Sequence, residues 1–220
     1  MAALKQGRFI TVEGGEGVGK SSFVKGLAAA LRERGKDVVT SREPGGTPVA
    51  DAVRALFANP PGGEPLSIVT EALLVSAGRA QHCDLVINPA VAAGKWMLCD
   101  RFADSMRVYQ GVMGGLGAEA TEQLIAISTR GCQPDLTFVL DCPVQVSLAR
   151  LRGRNDAETG NDAVSRYDAV TQAEHEQRRA AYLDLLRAHP KTHVLIDAAK
   201  STATMVADAL LRLEECFGPF

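Results

Sequence analysis

The run Gly14-Gly15-Glu16-Gly17-Val18-Gly19-Lys20-Ser21 matches the pattern G-x-x-x-x-G-K-[ST]. Its glycines can turn successive backbone N–H groups inward and make a concave nest for an anion. A helix opening directly behind the nest adds the partial positive charge of its N-terminus. Lys20 is long enough to reach terminal phosphates, and the hydroxyl of Ser21, followed by Ser22, offers Mg²⁺ a hard oxygen. The stretch from Gly14 to Ser22 therefore reads as a cradle for the phosphates of ATP with its Mg²⁺. A glycine-rich turn with no ligand is the alternative. The motif's position, after an apolar strand and before a helical pattern, speaks against that alternative.

The loop carries an acidic residue, Glu16, and no arginine. Phosphoryl transfer spreads negative charge over several oxygens, and one lysine with Mg²⁺ rarely handles it alone. Further cations must come from other segments. Asp100-Arg101 closes the third apolar segment, and the carboxyl ends of such strands face the ligand crevice of an open α/β sheet. There Asp100 can hold Mg²⁺ through water or orient an acceptor, and Arg101 can clamp an acceptor phosphate; a strand-end ion pair is the plainer reading. Arg42-Glu43-Pro44-Gly45-Gly46 ends the second segment on the same side, so Arg42 is either a second clamp or part of an ordinary turn. Arg150, Arg152 and Arg154 precede a polar stretch, Asn155 to Ser165, and Arg166 follows it. A lid that carries arginines to the reacting phosphate and excludes water would have this pattern. So would a solvated basic helix end suited to the helix dipole. A GTPase would carry N-K-x-D and D-x-x-G strings, and neither occurs.

The elements that must position these groups are legible in outline. Arg8 to Glu13, Asp37 to Arg42, Trp96 to Asp100, Leu136 to Asp141 and Thr192 to Asp197 read as short apolar strands. Between them lie helical patterns. Val24, Leu27, Ala28 and Leu31 share one face of a helix that ends at Gly35. Thr47 is the expected N-cap of another, with Pro48 in its first turn. Further helices are expected over Ser67 to Gly94 (broken near Asn88-Pro89), Ala118 to Arg130, from Pro143 into Arg154, Ala169 to Ala188, and Thr202 to Glu215. Near-continuously apolar strands alternating with helices imply an α/β fold with a parallel sheet covered on both faces. No linker divides the chain, so residues 1–220 read as a single domain with a lid at about 150–166.

Composition narrows the function. The 220 residues carry 24 Lys+Arg against 26 Asp+Glu, with 46% hydrophobic and 23% charged residues. That excludes a disordered chain, a collagen-like chain and a disulfide scaffold. A net charge of −2 argues against a general nucleic-acid or membrane-surface binder, so a bound anion must be held by local donors. No apolar run approaches the roughly 18 residues needed to span a bilayer, and the N-terminus lacks a signal-peptide core, so a cytoplasmic location is expected. The five cysteines show no C-x-x-C and read as reduced thiols. The four histidines lack metal-ligand spacing, so no structural zinc is expected.

Taken together, the loop with Glu16, the string Arg42-Glu43-Pro44-Gly45-Gly46-Thr47, the string Arg79-Ala80-Gln81-His82, and Asp100-Arg101 followed by Ser105 and Tyr109-Gln110-Gly111 resemble the thymidylate kinase family in order and spacing. The resemblance runs from Phe9 to the last helix. It implies a P-loop kinase fold with a five-stranded parallel sheet in the order 2-3-1-4-5. It also implies transfer of the ATP γ-phosphoryl group to dTMP with Mg²⁺, and a cytoplasmic homodimer. On the same footing, Glu16 would meet the acceptor sugar's 3′-hydroxyl, and Arg42 and Arg101 would clamp the acceptor phosphate. Arg79 would hydrogen-bond thymine, Ser105 would lie on the base-facing helix with Gln110 near the acceptor, and Tyr109 would disfavour a 2′-hydroxyl. The chain resembles the family's lid-arginine layout, with Arg150, Arg152 and Arg154 as candidates. Val75 stands where the family usually presents a stacking phenylalanine, and Arg107 where many members carry a smaller neutral residue. Phe102 or Arg107 would then have to cover the base. The alternatives are a kinase for another deoxynucleoside monophosphate, or a nucleotide-binding regulator without turnover.

Overall fold

The computed structural model describes residues 7–155 and 171–220, without the side chains of Arg154 and Asn155. Five strands, β1 (Arg8–Glu13), β2 (Val38–Arg42), β3 (Trp96–Asp100), β4 (Leu136–Asp141) and β5 (His193–Asp197), form one sheet in the order β2-β3-β1-β4-β5. Every pairing is parallel. This is the P-loop kinase architecture that the resemblance implies. β1 and β4 are buried along almost their whole length, as a sheet covered on both faces requires.

On one face, α1 (Lys20–Glu33) and α9 (Thr202–Phe217) pack side by side. Phe23, Leu27 and Leu31 of α1 meet Met205, Ala209 and Leu213 of α9 over Ile10, Val12 and Phe138 of the sheet. The other face is covered by α3 (Ile68–His82), α6 (Ala118–Thr129) and α8 (Gln172–Ala188). The remaining helices are α2 (Pro48–Ala58), α4 (Asn88–Ala92), α5 (Ala103–Met106) and α7 (Val144–Asn155). The local signals act as expected: Thr47 Oγ1 accepts from Ala50 N at 3.1 Å with Pro48 in the first turn of α2. Gly35 takes φ 76° behind α1. α8 is opened by a reciprocal cap between Thr171 and Glu174.

Some details differ from what the sequence implies, among them the start of α8, which is Gln172 behind the Thr171 cap and not Ala169. The long helical region beginning near Ser67 is interrupted by a widened π-type turn at Cys83–Ile87, and α4 restarts at Asn88 with Pro89 where its missing N–H costs nothing. β2 and β5 each begin one residue later than expected. Between β3 and α6 lies a helix that periodicity does not reveal: α5 runs into a π-type turn over Arg107–Met113. Its buried side includes the polar Asp104 and Gln110, which breaks the apolar stripe that marks a helix in sequence.

Register is what assembles the site. Val12 lies opposite Asp100, and Asp100 opposite Arg42. The carboxyl ends of β1, β3 and β2 therefore lie side by side and deliver Glu13, Asp100 and Arg42 to one edge.

Candidate active site

β1 passes directly into the glycine loop. Gly14, Gly17 and Gly19 adopt φ of 139°, 75° and 93°, a region that side-chain-bearing residues avoid. A Cβ on Gly17 would also lie 2.4 Å from the Ser147 carbonyl oxygen, so glycine is required there twice over. α1 begins at Lys20, whose Nζ donates to the carbonyls of Gly14 at 3.0 Å and Gly15 at 2.6 Å. Burial, and then the neighbouring Arg101, lower the Lys20 ammonium from 10.5 to about 8 against the pull of Asp100 and Glu16. Val18 is buried, and Ser21 and Ser22 are exposed on the first turn of α1. Ser21 Oγ donates to Asp100 Oδ2 at 2.9 Å. A hydroxyl beside a carboxylate is a donor set of hard oxygens, which suits Mg²⁺. Among the described residues no group of three or more His, Cys, Asp or Glu side chains comes together that could hold a metal.

Arg101 follows β3 and has φ 70°, uncommon for a residue with a side chain. Its N–H donates to Val12 O at 2.9 Å, which anchors the turn. The guanidinium then spans the site. Nη1 donates to Ser105 Oγ and Tyr182 Oη at 3.1 Å each and to Gly14 O at 3.2 Å; Nη2 donates to Glu16 Oε1 at 3.1 Å. Glu16 also accepts from the Tyr109 hydroxyl, and from Arg178 Nη1 at 2.9 Å. The Arg101 and Arg178 guanidinium carbons stand 5.2 Å and 5.3 Å from the centre of the Tyr109 ring, within cation–π range. Burial opposes a charge on Glu16, yet Arg101, Lys20, Arg178 and the Tyr109 hydroxyl hold its carboxyl down to about 2.

Glu13 lies below this layer, fully buried. It accepts from Phe102 N and Ser105 Oγ at 2.7 Å each, from Tyr182 Oη at 3.2 Å and from Ser105 N at 3.3 Å. Burial, with Asp104 adding to it, raises this carboxyl to about 7. Arg79 is 1% exposed. Its Nε donates to Glu43 Oε2 at 2.8 Å, Nη2 to Phe102 O at 3.1 Å, and Nη1 to the weak acceptor Met106 Sδ at 3.3 Å. His82 lies one turn further on and takes the second oxygen of Glu43 at 3.1 Å. Gln110 Nε2 donates to Glu71 Oε2 at 3.2 Å, and Arg42 is exposed beside Asp100.

The two side chains offered as covers for a base at Val75 are committed elsewhere. The Phe102 ring packs edge-on against Phe9 with centroids 5.0 Å apart. Arg107 is paired with Glu122 at 2.6 Å and Asp104 at 2.7 Å. Val75 itself is buried in α3. Of the arginines near the expected lid, Arg150 Nη1 donates to Ala198 O at 2.8 Å, behind β5, and Arg152 is exposed on α7. The side chain of Arg154, and Arg166 with the stretch between them, lie outside the described residues.

Glu13, Arg178 and Tyr182 are functional residues that the sequence alone does not mark. Glu13 gave one signal, a carboxylate closing an otherwise apolar strand directly before the glycines. Arg178 gave none, because its partner is 162 positions away. The pairing of Arg79 and His82 with Glu43 joins two strings that the sequence shows only separately.

The thymidylate kinase family profile matches residues 12–209, the span that holds almost every group described above. A thymidylate kinase of Pseudomonas putida (strain GB-1) is 46% identical over 218 residues, covering 96% of this chain and 99% of that protein. The thymidylate kinase of Geobacter sulfurreducens is 43% identical over 209 residues, covering 93% of this chain and 97% of the relative. That of Ectopseudomonas mendocina is 44% identical over 218 residues, with 96% and 99% covered. Likeness of this depth over the full length, together with the sheet order and the glycine loop, places the chain in the thymidylate kinase family.

Proposed function

We propose that this chain transfers the γ-phosphoryl group of MgATP to dTMP, giving dTDP and ADP on the route to dTTP. The observation that carries the reading is Glu16: a carboxylate inside the phosphate loop that is hydrogen-bonded by Arg101 and Tyr109, residues the family resemblance assigns to the acceptor. Donor loop and acceptor clamp thus share one buried network of charge.

In this reading the loop amides from Gly14 to Ser22 and the Lys20 ammonium hold the ATP phosphates. Ser21 and Asp100 would hold Mg²⁺, which supplies neutralisation of charge on the phosphate oxygens. Arg42 and Arg101 grip the dTMP phosphate. Its attacking oxygen is already anionic, so no side chain need remove a proton, and catalysis is positioning and charge stabilisation. Lys20, with at least one of the candidate arginines Arg150, Arg152 and Arg154, stabilises the migrating charge; for Arg150 that requires leaving the Ala198 carbonyl. Glu16 meets the sugar 3′-hydroxyl, and the Tyr109 ring fills the space a 2′-hydroxyl would need. Arg79 turns Nη1 from the sulfur of Met106 to a thymine carbonyl, a better acceptor, while Ser105 and Gln110 line the acceptor's helix.

We read the chain as a single domain whose lid spans about 150–166, and as a cytoplasmic homodimer. No helix among the described residues is long and apolar enough to cross a membrane. Val69 and Leu73, one turn apart on α3, are 51% and 53% exposed, and Ile127 on α6 is 71% exposed; a second copy would cover such residues. An ADP-release assay with dTMP, dUMP, dCMP, dGMP and AMP as acceptors tests the activity. dTMP should be the fastest. Rapid turnover of another monophosphate beside little with dTMP would overturn the specificity, and ATP binding without transfer to any acceptor would overturn the reaction.

A further inference from the structure

Two thiols meet on the side of the sheet away from α1. Cys83 opens the π-type turn after α3, and Cys132 lies in the loop between α6 and β4. Both belong to one packed apolar cluster with Phe9 and Ile87. The segments that carry them are tied a second time, by an ion pair between Arg130 and Asp84. Both cysteines are free thiols, and each is the largest influence on the other's ionisation. Their environments differ. Cys83 is 1% exposed; Cys132 is 8% exposed and forms part of the wall of a cleft of about 630 Å³ lined also by Arg8, Ile87, Asn88 and Asp135. That volume lies in the range that holds small molecules. The neighbouring Cys83 lowers the Cys132 thiol below its ordinary value. The neighbouring Cys132, with burial, raises the Cys83 thiol. One thiol is thus the more readily ionised and faces a cleft, while its neighbour is sealed behind it.

We propose that Cys132 and Cys83 form a redox site that takes a low-molecular-weight disulfide as its substrate and closes into an internal disulfide. The Cys132 thiolate attacks one sulfur of the small disulfide; that S–S bond breaks, and one thiolate leaves. Cys83 then attacks the Cys132 sulfur of the mixed disulfide and expels the second thiolate. The two protons of the cysteines end on the two departing thiolates, so the pair is oxidised by two electrons and the small disulfide is reduced to two thiols. The new bond links the turn behind His82 to the loop that feeds β4.

The test uses the full chain with Cys216→Ser, since Cys216 is exposed and would react on its own. The folded protein is incubated with oxidised glutathione, and its intact mass and peptide map are read. The expected product has lost two hydrogens, retains no glutathione, contains a Cys83–Cys132 cross-linked peptide, and reverts with dithiothreitol. Adding Cys83→Ala should leave one glutathione trapped on Cys132, and adding Cys132→Ser should leave Cys83 unreacted. Free thiols at both positions after treatment, separate glutathione adducts on each, or a cross-link to another cysteine would overturn the proposal. The map of the protein with both cysteines intact decides the matter even if a substituted variant fails to fold.

Discussion

Arg178 Nη1 donates to Glu16 Oε2 at 2.9 Å and joins α8 to the phosphate loop. With Arg101 on the other carboxylate oxygen, it fixes both the charge and the direction of Glu16. Arg178→Gln keeps a donor near the same place and removes the charge. If Glu16 orients the acceptor sugar, kcat/KM for dTMP should fall by roughly tenfold to a hundredfold, the range expected for small misplacement of a reacting group. The Glu16 carboxyl, held at about 2 from an ordinary 4.5, should rise, so the acid limb of the kcat/KM profile should move to higher pH. The depressed value also stabilises the fold above the unfolded carboxyl's range, a contribution lost as pH falls from about 4.5 towards 2. Arg178→Gln should shift the acid unfolding midpoint upward. Unchanged kinetics and an unchanged acid limb would mean that Arg101 and Tyr109 hold Glu16 without help.

Lys20 is expected to set the alkaline limit of ATP use. Its ammonium titrates near 8 because burial and Arg101 disfavour the charge. Above that value the free enzyme carries a neutral amine at the phosphate site, so kcat/KM for ATP should decline as pH rises through about 8. Saturating ATP should move the decline to higher pH, because phosphate oxygens favour the ammonium. Lys20→Ala should lower kcat/KM by on the order of a thousandfold, as loss of a transition-state charge partner does, and should leave the circular dichroism spectrum unchanged. A near-parental rate would remove Lys20 from the chemistry.

Glu13 makes the opposite prediction about stability. Its carboxyl is raised from 4.5 to about 7 by burial and by Asp104. Between those values the folded state binds the proton and the unfolded state does not, so stability falls as pH rises from about 4.5 to about 7. Glu13→Gln retains an acceptor for Phe102 N, and its amide can donate to Ser105 Oγ or Tyr182 Oη. The difference in unfolding free energy between variant and parent should therefore grow in the variant's favour across that window, by up to roughly 3 kcal/mol for a shift of this size. Denaturant titrations at pH 5 and pH 7.5 check it. A difference that does not change with pH would mean that Glu13 stays ionised throughout.

Why some of this is legible in sequence and some is not follows from distance along the chain. β1, β3 and β4 are bounded in the sequence as in the structure, because a doubly covered strand must be apolar along its length and the residues that end it are polar or glycine. The glycine loop is local, so its positive-φ positions and the lysine behind them can be read from neighbouring letters. Glu16 is legible as an acidic residue but not as the meeting point of Arg101, Tyr109 and Arg178, which arrive from three other elements. The helix behind Arg101, implied at Ser105 by the family resemblance, escapes the apolar periodicity because it buries Asp104 and Gln110 as well as apolar residues. Their partners, His193 and Glu71, lie on β5 and α3, and no window of sequence contains them. The expected break near Asn88-Pro89 lies at a widened turn, because proline marks where a helix can restart but not how the preceding one ends.

The 2.9 Å contact from Ser21 Oγ to Asp100 Oδ2 joins the first turn of α1 to the end of β3, the two elements that frame the proposed Mg²⁺ site. If both oxygens serve the ion, directly or through its water, neither substitution should be tolerated at low Mg²⁺. Asp100→Asn keeps the shape and an oxygen but removes the charge. The Mg²⁺ concentration giving half-maximal rate should rise by about tenfold to a hundredfold, the range seen when a group supporting a metal is changed, and excess Mg²⁺ should restore part of the rate. Ser21→Ala removes the hydroxyl and leaves the carboxylate, so it should raise the Mg²⁺ requirement in the same direction. The double variant should be less impaired than the product of the two single effects, because residues acting on one ion are not independent. Rate measured against free Mg²⁺ at fixed ATP distinguishes the outcomes. Parental Mg²⁺ dependence in Asp100→Asn with a lowered maximal rate would move Asp100 from the metal to the acceptor side.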